Sequence, residues 1–467
     1  MRHFRNSNEF RNTALLLGLF ALPASAFAMA SRPAEPTAQN TPAQVPRQTE
    51  VSLEESQGAP EPGLLTLEDC YRLALRRSET IQIKKEEVAE TTAQFLKATS
   101  ELVGDVDFTI TNFQQDAREK NSSGGSGISS LTASEKRERK IMITQPLFQG
   151  FRSLAALGAA GSLRGQRKQE RARAEQLLFL DVARAFYNVT RHREEVKIMR
   201  GILKSLEERI ADLRKREQIG RSRASEVATA TSRHRILKSE LARARGNLQI
   251  AVYLLEFLTG VPIDAERLED TAFAPLGLGA LDHHLALSQT RPDLKAAEQA
   301  VKTAWRGILE AQSDLWPEVT LENNHYLKRE GLSRDINWDL LFKVNIPLSR
   351  GGETMGNLKE SVSRWNIAKL NESLARRQAD LDVKESYEKW RSSVEELRAL
   401  AEAVEASQNN FDLQKEEYAH NLVSNLDVLE ALEQLYDTQL KANATDYDMR
   451  QNYHELQVAS GACCESI

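Results

Sequence analysis

At 467 residues, with 41% apolar and 28% charged side chains, the chain is too polar for a bundle of transmembrane helices and too apolar for disorder throughout. Its 62 Lys and Arg against 67 Asp and Glu leave a net charge of -5, which offers no basic excess to hold a phosphate backbone, so no nucleic acid is expected as a partner. Three cysteines, Cys70, Cys463 and Cys464, make neither a disulfide framework nor a four-thiolate zinc site.

The chain opens with Arg2, Arg5 and Arg11, a short apolar run from Ala14 to Pro23, and Ala24-Ser-Ala-Phe-Ala28. A basic start, a short apolar core and a small-residue exit predict a secretory signal peptide over 1–28. Residues 29–63, rich in Pro, Ala, Gln and Glu, read as a flexible leader. No later stretch has the roughly 18 consecutive apolar residues of a spanning helix, so an exported chain of this kind crosses a membrane only with strands.

Proline placement sets the next expectation. Seven of the thirteen prolines lie before residue 63, and 147–261 and 348–467 are proline-free. Within these runs Val196, Met199, Leu203, Leu206, Ile210 and Leu213 step by three and four. Val383, Tyr387, Trp390, Val394, Leu397, Ala401 and Val404 do the same, as do Leu237, Leu241, Ala244, Leu248, Ala251, Leu255 and Leu258. A sustained period of 3.5 predicts long helices packed as coiled coils.

These runs belong to an internal duplication. KIMITQPLFQGFRSL (140–154) matches LFKVNIPLSRGGETM (341–355), placing Pro146 on Pro347 and Gly150 on Gly351. The same shift of 201 carries Val182 to Val383, Glu226 to Asp427 and Ala230 to Ala431. Upstream, Ile81 and Val88 match Leu294 and Val301 at a shift of 213, and the extra residues fit an SSGGSG-containing loop at 119–136. The expected organisation is a first repeat over 64–260, a linker over 261–282, a second repeat over 283–461 and a tail over 462–467. Each repeat reads as helix, strand, strand, long helix, turn and return helix.

The strands alternate apolar with polar residues. Val106, Phe108 and Ile110 alternate with Asp105, Asp107 and Thr109; Val319 and Leu321 with Glu318, Thr320 and Glu322; Trp338, Leu340, Phe342 and Val344 with Asp339, Leu341 and Lys343. Lys140–Thr144 is the weakest of the four. Such a period suits a wall between lipid and water, with the first-named residues facing lipid. Four strands cannot close a barrel and an open edge is not tolerated in lipid, whereas three chains supply twelve strands. The hairpin loops at 119–136 and 328–336 are expected to face the exterior.

The stretches LTLEDCYRLALRRSETI, QPLFQG, IPLSRGG, IGRSRASEVATA and HNLVSNLDVLEALEQL resemble the TolC-type outer-membrane efflux family over about 64–461. The resemblance implies a mostly α fold with a small β part: a homotrimer whose α-helical barrel joins a twelve-stranded transmembrane β-barrel, four strands per protomer. It implies an outer-membrane channel-tunnel extending into the periplasm. Through it substrates leave as part of tripartite efflux or type I secretion, served by a periplasmic adaptor (membrane fusion) protein and an inner-membrane transporter of RND or ABC type. A periplasmic adaptor or structural coiled-coil protein is the alternative, but an adaptor has one hairpin, not two copies each preceded by paired strands.

By motif, the resemblance places Asp427 and Glu430 on an acidic ring at the periplasmic gate, where crowding is expected to raise some carboxyl pKa values. Glu226 and Tyr418 fall on a pair that links neighbouring helices in the closed state. Val423 stands where some members carry a latch arginine, and Asn421 replaces the usual glycine. The adaptor-facing turns are Gly220, Arg221 and Ser222 in one repeat and Leu422, Val423 and Ser424 in the other. Pro146, Gly150, Pro347 and Gly351 mark the strand-to-helix turns. A plainer role is open to the gate acids, since Ser424-x-x-Asp427 is also a capping box.

His283-His284 reads as a solvated pair in the inter-repeat linker, and Cys463-Cys464 as incidental. Asn188 and Asn443 head glycosylation-like triplets inside helices. No phosphate-cradling glycine loop, HExxH or nucleophile elbow is present, and neither an enzyme, a cofactor nor a bound metal is expected.

Overall fold

The computed structural model describes residues 64–114, 135–269, 279–330 and 333–462. The expected signal peptide, the leader, the SSGGSG loop and Cys463-Cys464 lie outside the described residues.

Local chemistry starts the first repeat. Thr66 and Asp69 exchange side-chain and backbone hydrogen bonds as a capping box at the head of α1 (Leu67–Arg77), and Ser78 caps α2 (Glu79–Val103). Then come β1 (Asp105–Gln114), β2 (Glu135–Gln149), α3 (Arg152–Gln218) and α4 (Ala224–Thr259). The second repeat runs α5 (Leu281–Ser288), α6 (Pro292–Ser313), β3 (Glu318–Arg329), β4 (Trp338–Asn345), α7 (Glu353–Ala419) and α8 (Asn425–Ser460). Pro292 opens α6 at a position where its missing N–H has no helical partner to lose.

In the long hairpins the duplication holds residue by residue. Helices α3 and α7 both have 67 residues, and α4 and α8 both have 36. Their starts, Arg152 and Glu353, then Ala224 and Asn425, are each 201 apart, as are the left-handed C-cap glycines Gly260 and Gly461. At about 1.5 Å per residue, α3 and α7 each extend about 100 Å.

The heptad positions carry the packing. Val196, Met199, Leu203, Leu206, Ile210 and Leu213 of α3 are all buried against Leu237, Leu241 and Ala244 of α4 and against Val428, Leu429 and Leu432 of α8. A second cluster gathers Cys70, Tyr71, Phe179, Phe186 and Leu255 from α1, α3 and α4, and a third gathers Val383, Trp390, Met449 and Leu456 from α7 and α8. Burial pushes the Cys70 thiol up to about 12, which leaves it un-ionised and unreactive at neutral pH.

The four strands form one antiparallel sheet in the order β1-β2-β3-β4. Its register resolves the two faces. Val106 pairs with Ile143 and Phe108 with Ile141; Val319 pairs with Val344, Leu321 with Phe342, and His325 with Trp338. Opposed residues share a face, so one side collects Val106, Phe108, Ile110, Ile141, Ile143, Val319, Leu321, Leu340, Phe342 and Val344, with Arg139, Asn323 and His325 among them. Most of these side chains are exposed in the protomer, with Phe108 at 58% and Phe342 at 61%. The other side carries Asp105, Asp107, Thr144, Glu322, Asn324 and Asp339, together with Met142 and Leu341.

Three expectations change. Strand β2 is the longest, at 15 residues, so Lys140–Thr144 is only its middle. Pro146 lies inside β2, at a register shift between Pro146 and Phe148, rather than in the turn; a bulge absorbs its missing donor. The turn itself falls on Gly150, at φ 58°, where a Cβ would come within 2.6 Å of the Ser313 carbonyl oxygen, and on Gly351 at φ 59°. Finally, β3 continues to Arg329, so the second hairpin loop is shorter than 328–336.

Candidate functional site at the hairpin tips

The α3–α4 and α7–α8 hairpins turn at matched points. Gly220 has φ 70° and Asn421, its counterpart 201 residues later, has φ 59°, so asparagine supplies the left-handed residue that glycine supplies in the first repeat. Around these residues Arg221, Arg223, Leu422 and Ser424 are exposed, while Ser222 and Val423 are partly covered. The six turn residues expected to face an adaptor therefore sit at the two tips.

Ser424 begins α8 as a full capping box. Its N–H and hydroxyl both donate to Asp427 Oδ2 at 2.7 Å, and the Asp427 N–H donates back to Ser424 Oγ at 3.4 Å. Those bonds hold the Asp427 carboxyl below its ordinary value, the side-chain bond from Ser424 most of all. An upward shift at Asp427 is therefore not present in the protomer, where bonds to the charged form dominate. Glu430 stands exposed one turn further along α8.

Glu226 and Tyr418 are not hydrogen-bonded to each other within the chain. Glu226 accepts from Ser222 Oγ at 2.6 Å, bracing its own turn. The Tyr418 ring is buried, 6% exposed, beneath two guanidinium groups: the Arg209 Cζ lies 3.7 Å from the ring centroid and the Arg216 Cζ 4.8 Å. Arg209 Nε donates to Asn425 Oδ1 at 3.0 Å, so one α3 side chain holds both arms of the α7–α8 hairpin. Asp212 faces Arg209 at 3.7 Å and Arg216 at 3.2 Å. Burial pushes the Arg209 guanidinium below its ordinary value. A second cross-link is Arg233 of α4, which donates to the Leu429 carbonyl at 2.9 Å and to Glu433 at 2.7 Å.

Arg209, Arg216 and Asn425 were not among the sequence candidates. The spacing Arg209, Asp212, Arg216 marks one helix face and an ion-pair ladder, but nothing along the chain points to Tyr418 as its partner.

His283 and His284 do not form a solvated pair: both lie in α5, His284 is buried beside Tyr387, and burial pushes its pKa down. Among the described residues no cluster of His, Cys, Asp or Glu is arranged to hold a metal ion.

The chain thus combines an internal duplication, two long matched helical hairpins with tight turns at their ends, and an open four-stranded antiparallel sheet. The family model "Outer membrane efflux protein" matches residues 70–261 and 285–462, and the chain belongs to that family. The chain is 24% identical over 296 residues to Nodulation protein T of Rhizobium leguminosarum bv. viciae, covering 61% of each chain. It is 24% identical over 302 residues to the probable outer membrane lipoprotein SilC of Salmonella typhimurium, covering 63% of this chain and 65% of SilC. The chain thus spans under two thirds of the length of these two relatives. In fold it superposes on the open-state outer membrane channel MtrE of Neisseria gonorrhoeae with a TM-score of 0.73 and 21% identity, covering 85% of this chain and 88% of MtrE.

Proposed function

We propose that the chain is one third of a passive export duct in the outer membrane, gated at its periplasmic end. The observation that carries this is the sheet: four strands, two unpaired edges and one exposed apolar face on a chain whose described helices are none of them long and apolar enough to cross a membrane. In lipid such edges must be paired, and three copies end to end close a twelve-stranded barrel. The apolar face then meets lipid and the polar face lines the lumen. The paired long hairpins continue the wall through the periplasm as an α-helical barrel, and the tips converge on its closed end.

In this duct the chain performs no bond-making. Energy comes from an inner-membrane transporter, and a periplasmic adaptor joins it to the tips at Gly220–Ser222 and Leu422–Ser424. Substrates pass from the transporter or periplasm to the exterior, as in tripartite efflux or type I secretion. Asp427 and Glu430, repeated by threefold symmetry, set a negative potential at the constriction that attracts cations. Arg209 and Tyr418 keep the α7–α8 hairpin against α3, and adaptor docking releases it.

The test is assembly and conduction. Purified from outer membranes, the protein should run as a heat-dissociable trimer and give discrete conductance steps in a planar bilayer. A water-soluble monomer that leaves the bilayer silent would exclude the duct and return the chain to a periplasmic coiled-coil role.

A further inference from the structure

The two repeats end their second strands differently. Strand β2 has a neighbour on each side and runs 15 residues to Gln149, with Pro146 in a bulge against β3. Its counterpart β4 has a neighbour on one side only and stops at Asn345, eight residues long. Ile346 to Arg350, the counterparts of Gln145 to Gln149, form no strand, and Ile346 and Leu348 stand exposed. Backbone groups without a ladder are costly in lipid, so this end of β4 lacks a neighbour that β2 has.

The duplication says which neighbour. Strand β1 is the counterpart of β3 at the shift of 213, with Val106 on Val319 and Phe108 on Leu321, and its outer edge is unpaired among the described residues. Within the chain β2 meets β3 with Ile143 opposite Asn323, Gln145 opposite Leu321 and Lys140 opposite Tyr326. Carried over by the shifts of 201 and 213, these pairs become Val344 opposite Ile110, Ile346 opposite Phe108 and Leu341 opposite Phe113. The first two set apolar on apolar along the apolar face. The third brings together two large apolar side chains that stand on the polar face, Leu341 at 49% exposed and Phe113 at 51%. A slip of one residue would put the apolar residues of one strand on the wrong face. A slip of two keeps the faces but sets Phe113 opposite Asp339 or Lys343.

The helices repeat the pattern. Helix α8 lays His454 on Tyr187 and Glu455 on Arg184 of α3, and its Val458 is buried. The α4 counterparts Tyr253, Leu254 and Phe257 all remain exposed, Phe257 at 79%. By the same shift of 201 the element that matches α3, and so faces them, is α7.

We propose that a second copy of this chain docks its β1 and α4 along β4 and α7, in the register that β2–β3 and α3–α8 already show within the chain. Leu341 then meets the partner's Phe113, and Val344 the partner's Ile110. Strand β4 extends through Ile346 to Arg350 with a bulge at Pro347, as β2 has at Pro146. This rests on the duct reading and adds to it which residues form the seam between copies.

Paired cysteines in the full-length chain, oxidised in outer membranes, test the seam. Within one chain β1 and β4 are three strand spacings, about 14 Å, apart, beyond the roughly 7 Å a disulfide can bridge, so any bond formed joins two copies. Leu341→Cys with Phe113→Cys should convert most of the monomer band to covalent trimer on a non-reducing denaturing gel. Leu341→Cys with Thr111→Cys, a diagonal pair about 7–8 Å apart, should stay near the background set by oxidised wild type, which keeps its own three cysteines. If the first pair does not assemble, Val344→Cys with Ile110→Cys takes its place with the same expectation. Preferential cross-linking of the Thr111 pair, or of no pair in a trimer that persists on native gels, overturns the register and leaves the duct standing. A wild-type protein that forms no trimer overturns the duct, and the seam with it.

Discussion

Arg209 and Tyr418, 209 residues apart in the chain, are stacked with the guanidinium carbon 3.7 Å from the ring centroid. The contact joins α3 of the first repeat to the end of α7 in the second, beside the turn where the hairpins close. Within the chain Glu226 is bonded to Ser222 instead of Tyr418, and it is the tyrosine ring that Arg209 contacts.

Removing the grip and removing the hydroxyl should therefore differ. Arg209→Gln should lower the stability of the tip by about 1–2 kcal/mol, the size of a partly desolvated cation–π contact, and raise the open fraction in single-channel records. Tyr418→Phe keeps the ring and should leave the open fraction near wild type. Equal opening in both variants would restore the hydroxyl as the latch.

The acids of α8 separate by chemistry. Asp427→Asn with Glu430→Gln should lower cation selectivity in a salt gradient while the trimer persists. Ser424→Ala keeps both charges and should cost about 1 kcal/mol of helix capping, with the reversal potential unmoved. Because the Asp427 carboxyl lies below its ordinary value of 3.8 in the folded chain, its contribution to stability is fully present above 3.8 and is lost as pH falls below that, through the lowered folded value. Thermal melting of Ser424→Ala should show a weaker pH dependence in that acid range.

His454 gives a second acid-sensitive element, in the helical core. It is stacked on Tyr187 with ring centroids 5.7 Å apart, its Nε2 lies 3.1 Å from the Tyr187 hydroxyl, and burial pushes its pKa down to about 4. The imidazole is thus neutral in the folded chain but takes a proton near 6.5 once unfolded. Stability from this group is complete above pH 6.5 and falls away toward pH 4, by on the order of 3 kcal/mol in all. Melting temperature measured from pH 7 to 4 should drop less steeply in His454→Phe than in the wild type.

The lipid-face assignment predicts opposite tolerance at adjacent residues. Phe342, opposite Leu321, lies on the apolar side, and Leu341, opposite Glu322, on the polar side. Phe342→Arg should impair trimer assembly by about 2–4 kcal/mol if it falls near the bilayer midplane, and Leu341→Arg should be tolerated better. Comparable loss of trimer on native gels from both substitutions would reverse or abolish the face assignment.

Hairpin topology is checked from outside the cell. Ser123→Cys, in the glycine-rich insert between β1 and β2, should react with an impermeant thiol reagent on intact cells. Reaction only after the outer membrane is ruptured would place that loop on the periplasmic side.

Much of this molecule is a one-dimensional pattern. The 3.5-residue steps in α3, α4 and α7, the alternation in the strands and the 201-residue shift are properties of order along the chain, and helices and hairpins are built from neighbours in order. That is why the long helices, the two repeats, the Ser424–Asp427 cap and the glycine turns at Gly150 and Gly351 were legible without coordinates. The extent of β2 was not, because its charged residues Lys136 to Lys140 hide the alternation and Pro146 argues against a strand until a bulge accommodates it. Nor was the burial of His284, whose partner Tyr387 is in another helix. Only the tertiary structure decided that Tyr418 lies under Arg209 and Arg216, that Glu226 is held by Ser222, and that Asn324 is enclosed among carboxylates drawn from different strands. These contacts depend on which faces of distant elements meet and in what register, and side-chain chemistry read in order along a chain carries no term for that distance.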